Sequence, residues 1–318
     1  MAEVVSLVSA SIADGSGERK ATNARTPSSK DRGAHGLPLG KRPAVAITLW
    51  PFVTSSTGGF LSCAGVEPLR FAAVGDLLVD VSVRGGKGHD ARISLRAGGS
   101  AANAAVWAAQ LGARTTLIGR VGDDLAGQAL AAALEDRGID LQVSVDEEAA
   151  TGTFVLLHGQ RFVDRGANGF LAPEHLPGTI EADVVAVSPY LQPATASAAV
   201  DRARSRWTAA LGKPLLGANA VVLSELETDQ GVHTLAERFR LACVTLGELG
   251  AIAVLDGEEA SASAPPVQAA EATGAGDAFA AALLVELARG APLQDALDAA
   301  CRCGAEAAVS PAGWPVVK

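Results

Sequence analysis

"EATGAGDAF", residues 271–279, sets a run of small residues and one carboxylate directly before an apolar stretch rich in Ala and Leu. Thr273-Gly274-Ala275-Gly276 lacks bulky side chains, whereas residues 278–287 are strong helix formers, so the glycines fall just before a helix N-terminus. Unpaired backbone N–H groups and the positive end of the helix macrodipole then point into the loop, which attracts anions, phosphate above all. Two readings of Asp277 stand on these residues alone. It is a first-turn acid that complements the dipole by about 0.3 to 1 kcal/mol, or it is a general base that takes a hydroxyl proton while the N–H groups hold a transferring phosphoryl group.

Outward from this motif the chain alternates strands and helices. "FAAVGDLLVD" (71–80) reads as a buried strand broken by Gly75 and Asp76, and "SAANAAVWAAQLG" (100–112) as an Ala-rich helix closed by Gly112. A strand "RTTLIGRVG", a helix "DLAGQALAAALEDRG" with Asp123 or Asp124 at its cap, and a short strand near "LQVSV" follow. Next come a strand "ADVVAVSPY", a helix over about 194–209, a strand "PLLGANAVV", a helix around "GVHTLAERFR" and two strands in "ACVTLGELGAIAVLDG". Two helices, "DAFAAALLVELARG" and "LQDALDAACRCGAEAAV", close the chain. Strands separated by helices predict a parallel sheet covered on both faces. The segments at about 81–97 and 151–166 alternate apolar and polar residues without helices and predict a half-exposed antiparallel lid.

Composition bounds the rest. The 318 residues, 48% of them hydrophobic, can fill a substantial core. With 35 acidic against 26 basic side chains, the net charge of -9 repels polyphosphate backbones, so nucleic acid is not an expected partner. The four cysteines show neither a metal-ligand spacing nor a disulfide framework, which fits a reducing cytoplasm. The apolar run "AVAITLWPFV" (44–53) is too short for a bilayer and holds Pro51, and it lies too far from the N-terminus for a secretory signal, so no membrane partner is expected. Residues 1–66, rich in Ser, Gly and charge, read as a disordered or loosely attached extension to a domain over 67–318.

Five motifs in order carry a resemblance: "AGGSAANAAVWAAQLGA" (97–113), "IGRVGDDLAG" (118–127), "DRGAN" (164–168), "VTLGELGA" (244–251) and "GAGDAF" (274–279). Across about residues 71–315 the chain resembles the ribokinase/PfkB family of carbohydrate and nucleoside kinases. The resemblance implies an α/β fold, a three-layer αβα sandwich with a mostly parallel central sheet and a small β lid, and ATP-dependent phosphorylation of a sugar-type hydroxyl. By that resemblance Asp277 is the catalytic base, with Gly274, Ala275 and Gly276 as the anion hole. Gly98 and Gly99 match a turn that lets a sugar approach the backbone, and Asn103 and Asp76 match residues that hold its hydroxyls. Arg165 is either a contact to an acidic or polyhydroxylated substrate or a solvated lid residue. Thr245, Gly247, Gly250 and Thr273 match nucleotide contacts. "GGKG" (85–88) belongs to the lid turn, and no GxxxxGK[ST] loop occurs.

Three departures from the family stand out. Where it has Asp-Thr-Thr before Gly-Ala-Gly-Asp, the first acid helping to bind a monovalent cation, this chain has Glu271-Ala272-Thr273, which argues against activation by a monovalent cation. The magnesium-linked Asn-x-x-Glu is expected to begin at Asn219, a nucleotide contact, but Val222 stands three residues later and Glu225 is the nearest acid and candidate metal contact. Mg²⁺ arriving on ATP through water is compatible with that. Between Tyr190 and Asn219 the family has helix, strand and helix, whereas this interval reads as helix alone, so the sheet is expected to lack an internal strand. The resulting expectation is a cytoplasmic kinase that uses ATP and Mg²⁺ on the hydroxymethyl group of a sugar, sugar acid or nucleoside, with a homodimer formed through the lid. The alternative is a catalytically impaired sugar-binding or regulatory descendant.

Overall fold

The computed structural model describes residues 67–85, 90–157, 159–268, 273–310 and 313–315. The readings of residues 1–66, of Lys87 and of Glu271-Ala272 lie outside them.

In chain order the strands and helices are β1 (Arg70–Val74), β2 (Leu78–Arg84), β3 (Arg92–Gly98), α1 (Ser100–Gln110), β4 (Arg114–Gly122), α2 (Leu125–Glu135), β5 (Asp140–Asp146), β6 (Thr153–Leu157) and β7 (Gln160–Asp164). They continue as β8 (Ile180–Glu181), β9 (Val184–Val187), α3 (Pro193–Arg202), β10 (Ala203–Arg204), β11 (Trp207–Leu211), β12 (Ala220–Ser224), α4 (Val232–Ala236), β13 (Leu241–Thr245), β14 (Ala251–Leu255), β15 (Glu258–Ala262), α5 (Ala275–Arg289) and α6 (Leu293–Val309).

Nine strands form the main sheet in the order β15-β14-β13-β12-β11-β9-β1-β4-β5. Every pair from β5 to β13 is parallel, and β14 and β15 add an antiparallel edge. One face packs Leu117, Trp207 and Val222 against α1, α2, α5 and α6; the other packs Val185, Val187 and Val221 against α3, α4 and residues 171–182. Side chains pointing alternately to two covered faces explain the nearly uninterrupted apolar strands. This is the expected three-layer sandwich. Asp124, of the two candidate caps, starts α2 by accepting a 2.7 Å hydrogen bond from Gly127 N–H.

The apolar run at 71–80 is divided between two sheets. β1 stays in the core, Gly75 turns with φ 153° where a side chain would overlap Ser188, and β2 leaves for the lid. The lid sheet has the order β3-β2-β6-β7. Its two hairpins are antiparallel, but β2 and β6, which join them, run parallel, so the lid is not the purely antiparallel flap read from the sequence.

The internal strand expected to be missing is present. "WTAAL" is β11, fully buried between β9 and β12, whereas it was read as the end of an Ala-rich helix. That helix stops at Arg202, and the Asp183 carbonyl accepts from the Arg206 and Trp207 N–H groups, which steers Trp207 into the sheet. What the chain lacks is the next helix. Only residues 212–219 connect the parallel neighbours β11 and β12, where about a dozen or more residues are usual. Leu215 and Ala218 of this link pack into the core beside α3 and α4. Strand β15, "EEASA", carries alternating burial that the sequence reading overlooked.

Candidate active site

The carboxyl ends of β1, β9, β11, β12 and β13 meet the N-termini of α1 and α5 beneath the lid, where open α/β sheets place their ligands. A cleft of about 640 Å³ occupies this junction.

Local backbone geometry puts α1 and α5 there. Gly99, at φ 101°, caps α1 so close to the β1–β2 corner that a side chain would overlap the Asp76 carbonyl. The Asp76 carboxylate accepts from Ser100 N–H at 3.1 Å and from the Ser188 hydroxyl at 2.6 Å. It thus ties the ends of three elements together at the cleft wall. Gly274, left-handed at φ 83° and ψ -4°, is the cap of α5. The first i→i−4 bond of α5 runs from Ala278 N–H to Gly274 C=O at 3.0 Å, so the N–H groups of Ala275, Gly276 and Asp277 precede the helical ladder.

Asp277 lies in the first turn of α5, at the floor of the cleft. One carboxylate oxygen accepts from the Ser100 hydroxyl at 2.6 Å, and the other from the Asn103 side-chain N–H at 2.9 Å. Burial pushes the Asp277 carboxyl up to about 7; the Ser100 and Asn103 hydrogen bonds oppose this, and the charges of Asp76 and Glu227 reinforce it. A carboxylate poised near neutrality suits proton abstraction.

Of the residues singled out in the sequence, Asp277, Gly274, Gly276, Thr273, Asp76, Gly99, Asn103, Arg165 and Thr245 line this one cleft. Arg165 projects from the lid return and donates to the Tyr190 carbonyl. Ala275, Gly98, Gly247, Gly250, Asn219 and Glu225 are not brought to it. Gly98 instead makes room for the Asp80 carboxylate, which a side chain there would overlap. Gly250, at φ 107°, lets the turn after β13 pass against the Ala262 carbonyl.

Asn219 lies at the start of β12, away from the carboxyl end that faces the cleft. Its side-chain oxygen accepts from Thr208 N–H at 2.9 Å and its amide donates to the Arg206 carbonyl at 3.0 Å, which splices β11 to β12. The strand read as "PLLGANAVV" begins only at Ala220, so the motif was placed too early. At the other end of β12, Ser224 and Glu227 stand three apart on the cleft wall, and Glu227 accepts from Ser224 N–H at 2.7 Å and from its hydroxyl at 3.0 Å. Glu227, rather than Glu225, therefore faces the site.

Asp80 was also missed. It sits on the cleft side of β2 with Leu78, and Phe154, Arg161 and Val163 share that face of the lid. Burial, then the nearby Asp76 charge, raises its carboxyl to about 7, with Arg96 opposing. Its signal was an acid at an inward position of an alternating strand. Among the described residues no three His, Cys, Asp or Glu side chains gather closely enough to hold a metal ion by themselves, and no helix is long and apolar enough to cross a membrane.

A doubly covered parallel sheet, a β lid and an acid at a helix N-terminus define a kinase of ribokinase-like architecture. Solved structures share it: ribokinase from Thermotoga maritima superimposes with a TM-score of 0.67 at 20% identity, covering 78% of this chain and 96% of that one. The fructokinase of Vibrio cholerae O395, solved in a fructose-, ADP- and calcium-bound form, gives 0.66 at 25% identity over 77% and 94%. The sequence pattern of pfkB family carbohydrate kinases matches residues 70–210 and 215–312, and the chain belongs to that family. Fructokinase of Klebsiella pneumoniae is 32% identical over 265 residues, 68% of this chain and 83% of the relative. Fructokinase of Salmonella typhimurium is 30% identical over 282 residues, 73% and 91%. The chain is thus a carbohydrate kinase; kinases of this family use ATP, generally with a divalent metal. The gap between the matched spans falls on the short β11–β12 link. The relatives are named kinases and lend no support to a non-catalytic descendant.

Proposed function

We propose that this kinase transfers the γ-phosphoryl group of ATP to a hydroxymethyl group of a sugar or sugar acid held beneath the lid. The observation that carries the reading is Asp277: a carboxylate with raised proton affinity, gripped by two donors, beside helix N–H groups outside the ladder and on the same cleft as Asp76 and Asp80. Ionised Asp277 takes the acceptor hydroxyl's proton as its oxygen attacks. The N–H groups of Gly276 and Asp277, which line the cleft ahead of the helical ladder, receive the charge on the transferring oxygens. Asp76, Asp80 and Asn103 accept or donate to the acceptor's other hydroxyls, and Arg165 with Arg161 suits an acidic substituent. Thr245 and Thr273 border the nucleotide end.

One carboxylate at the carboxyl end of β12 fits a divalent ion that arrives on the nucleotide and keeps most of its waters. Glu227, steadied by Ser224, would hold Mg²⁺ there, and the ion would neutralise charge on the β- and γ-oxygens. Closing the lid excludes water, the competing acceptor.

The lid has a second task in this reading. Residues in register point the same way, so Leu95, Val81, Val155 and Phe162 form one row across all four strands on the face opposite Asp80. Leu95 is 69% and Phe162 51% exposed. Leu95 and Phe162 of this row are left more than half exposed by the described residues, and a second copy of the chain supplies the cover, giving a homodimer. The domain over 67–318 works in the cytoplasm, in keeping with free Cys243, Cys301 and Cys303.

ATP consumption by purified protein with fructose, ribose, 2-keto-3-deoxygluconate and adenosine tests the proposal. Turnover on a sugar or sugar acid that Asp277→Asn abolishes is expected. Turnover confined to adenosine would overturn the acceptor class.

A further inference from the structure

Asn103 stands between two partners with opposite demands. A carboxylate can only accept and an indole N–H can only donate, whereas a primary amide can present either end with almost the same shape. Asp277 takes the Asn103 side-chain N–H at 2.9 Å, and Trp314 Nε1–H donates to the Asn103 oxygen at 2.7 Å. If the amide flipped, its oxygen would face the carboxylate and its nitrogen the indole N–H, so both bonds would be lost together. Asn103 and Trp314 are 5% and 7% exposed, which leaves water little room to compensate.

Trp314 is itself held. Trp107 Nε1–H donates to the Gly313 carbonyl at 2.7 Å, the Arg137 guanidinium lies 4.8 Å over the Trp314 ring, and Arg137 donates to the Pro315 carbonyl at 3.3 Å. Gly313, at φ 64°, runs so close to the loop before α5 that a side chain there would come within 2.5 Å of the Thr273 carbonyl. The C-terminal segment is thus fastened to α1, to the chain just after α2, and against the reacting loop.

We propose that Trp314 is a positioning residue for phosphoryl transfer: its indole N–H locks the Asn103 amide with the donor end toward Asp277, which fixes the carboxylate oxygen that receives the proton. The proposal rests on the general-base reading of Asp277.

Trp314→Phe retains the stacked ring and removes the donor. It is expected to lower kcat about tenfold to a hundredfold with the KM for ATP unchanged. It should also move the acid limb of kcat/KM upward, because a wavering Asn103 stabilises the charged carboxylate less. In an Asn103→Ala background the same substitution should change neither quantity. A parent-like profile in Trp314→Phe, or an undiminished loss in the Asn103→Ala background, overturns the proposal. Should Trp314→Phe fail to fold, Arg137→Ala loosens the indole from outside: the same upward move is expected, and an unmoved limb overturns the inference. If Asp277→Asn keeps full activity, the general-base reading fails instead, a result distinct from either of these.

Discussion

Replacing Asp277 by Asn preserves shape and removes the charge. As a general base, the residue should be worth about 10² to 10⁴ in kcat. The parent's pH profile gives a second, independent reading. With the carboxyl at about 7, roughly one eleventh of the enzyme is ionised at pH 6 and ten elevenths at pH 8, so kcat/KM should rise about tenfold between them. The residual activity of Asp277→Asn should lack this limb once Asp80, the other cleft carboxyl raised to about 7, is also replaced by Asn. Stability should move the other way. The carboxyl's affinity for its proton is raised in the folded state above the unfolded value of 3.8, so its contribution is full below about pH 4 and is lost as pH rises through about 7. Asp277→Asn escapes that loss, so its advantage in thermal stability should be absent at pH 4 and grow to a plateau above pH 7, at most roughly 4 kcal/mol. Initial rates by coupled ADP detection and melting curves from pH 4 to 9 measure both. An acid limb near pH 4, or a limb at 7 that survives when Asp277 and Asp80 are both Asn, would refute the assignment.

Asn219→Ala should cost about 1 to 3 kcal/mol, since Thr208 N–H loses its acceptor, yet leave the KM for ATP unchanged. Glu227→Gln should do the reverse, raising the Mg²⁺ concentration for half-maximal rate with little change in melting temperature; equal metal titrations for parent and variant would remove Glu227 from that role. Leu95→Glu with Phe162→Glu should yield monomers by light scattering, because two charges cannot be buried in an apolar interface, and an unchanged mass would count against pairing through the lid.

The most legible parts of the sequence were those where local chemistry and tertiary role agree. α5 and α6 are long, Ala- and Leu-rich and cleanly capped, and Gly274 needs no partner to announce a left-handed turn. Asp277, Asp76 and Asn103 were found because ordered motifs survive around them. β11 was misread because "WTAAL" carries two alanines that favour a helix locally, while the decision rests on Trp207 and the Asp183 carbonyl, which are brought together only by folding. That one error displaced the next strand, so Asn219 at its start was taken for its cleft end, where Ser224 and Glu227 stand. Asp80 stayed hidden because its role depends on which lid face meets the cleft, a property of register. The lock on Asn103 spans 211 residues of sequence, and no local pattern encodes it.

The direct passage from β11 to β12 bears on how the protein assembles. Ala209 and Ala220 are register partners only eleven positions apart, whereas a helical crossover interposes about thirty residues. Closing the shorter loop is easier by about 0.9 kcal/mol in chain entropy. The sheet therefore owns a central parallel pair that can zip before any helix docks, and refolding should start there and spread toward both margins. Ala210→Gly, which weakens that pair, should slow refolding in stopped-flow experiments while leaving the unfolding rate nearly untouched; a change confined to unfolding would assign the nucleus elsewhere.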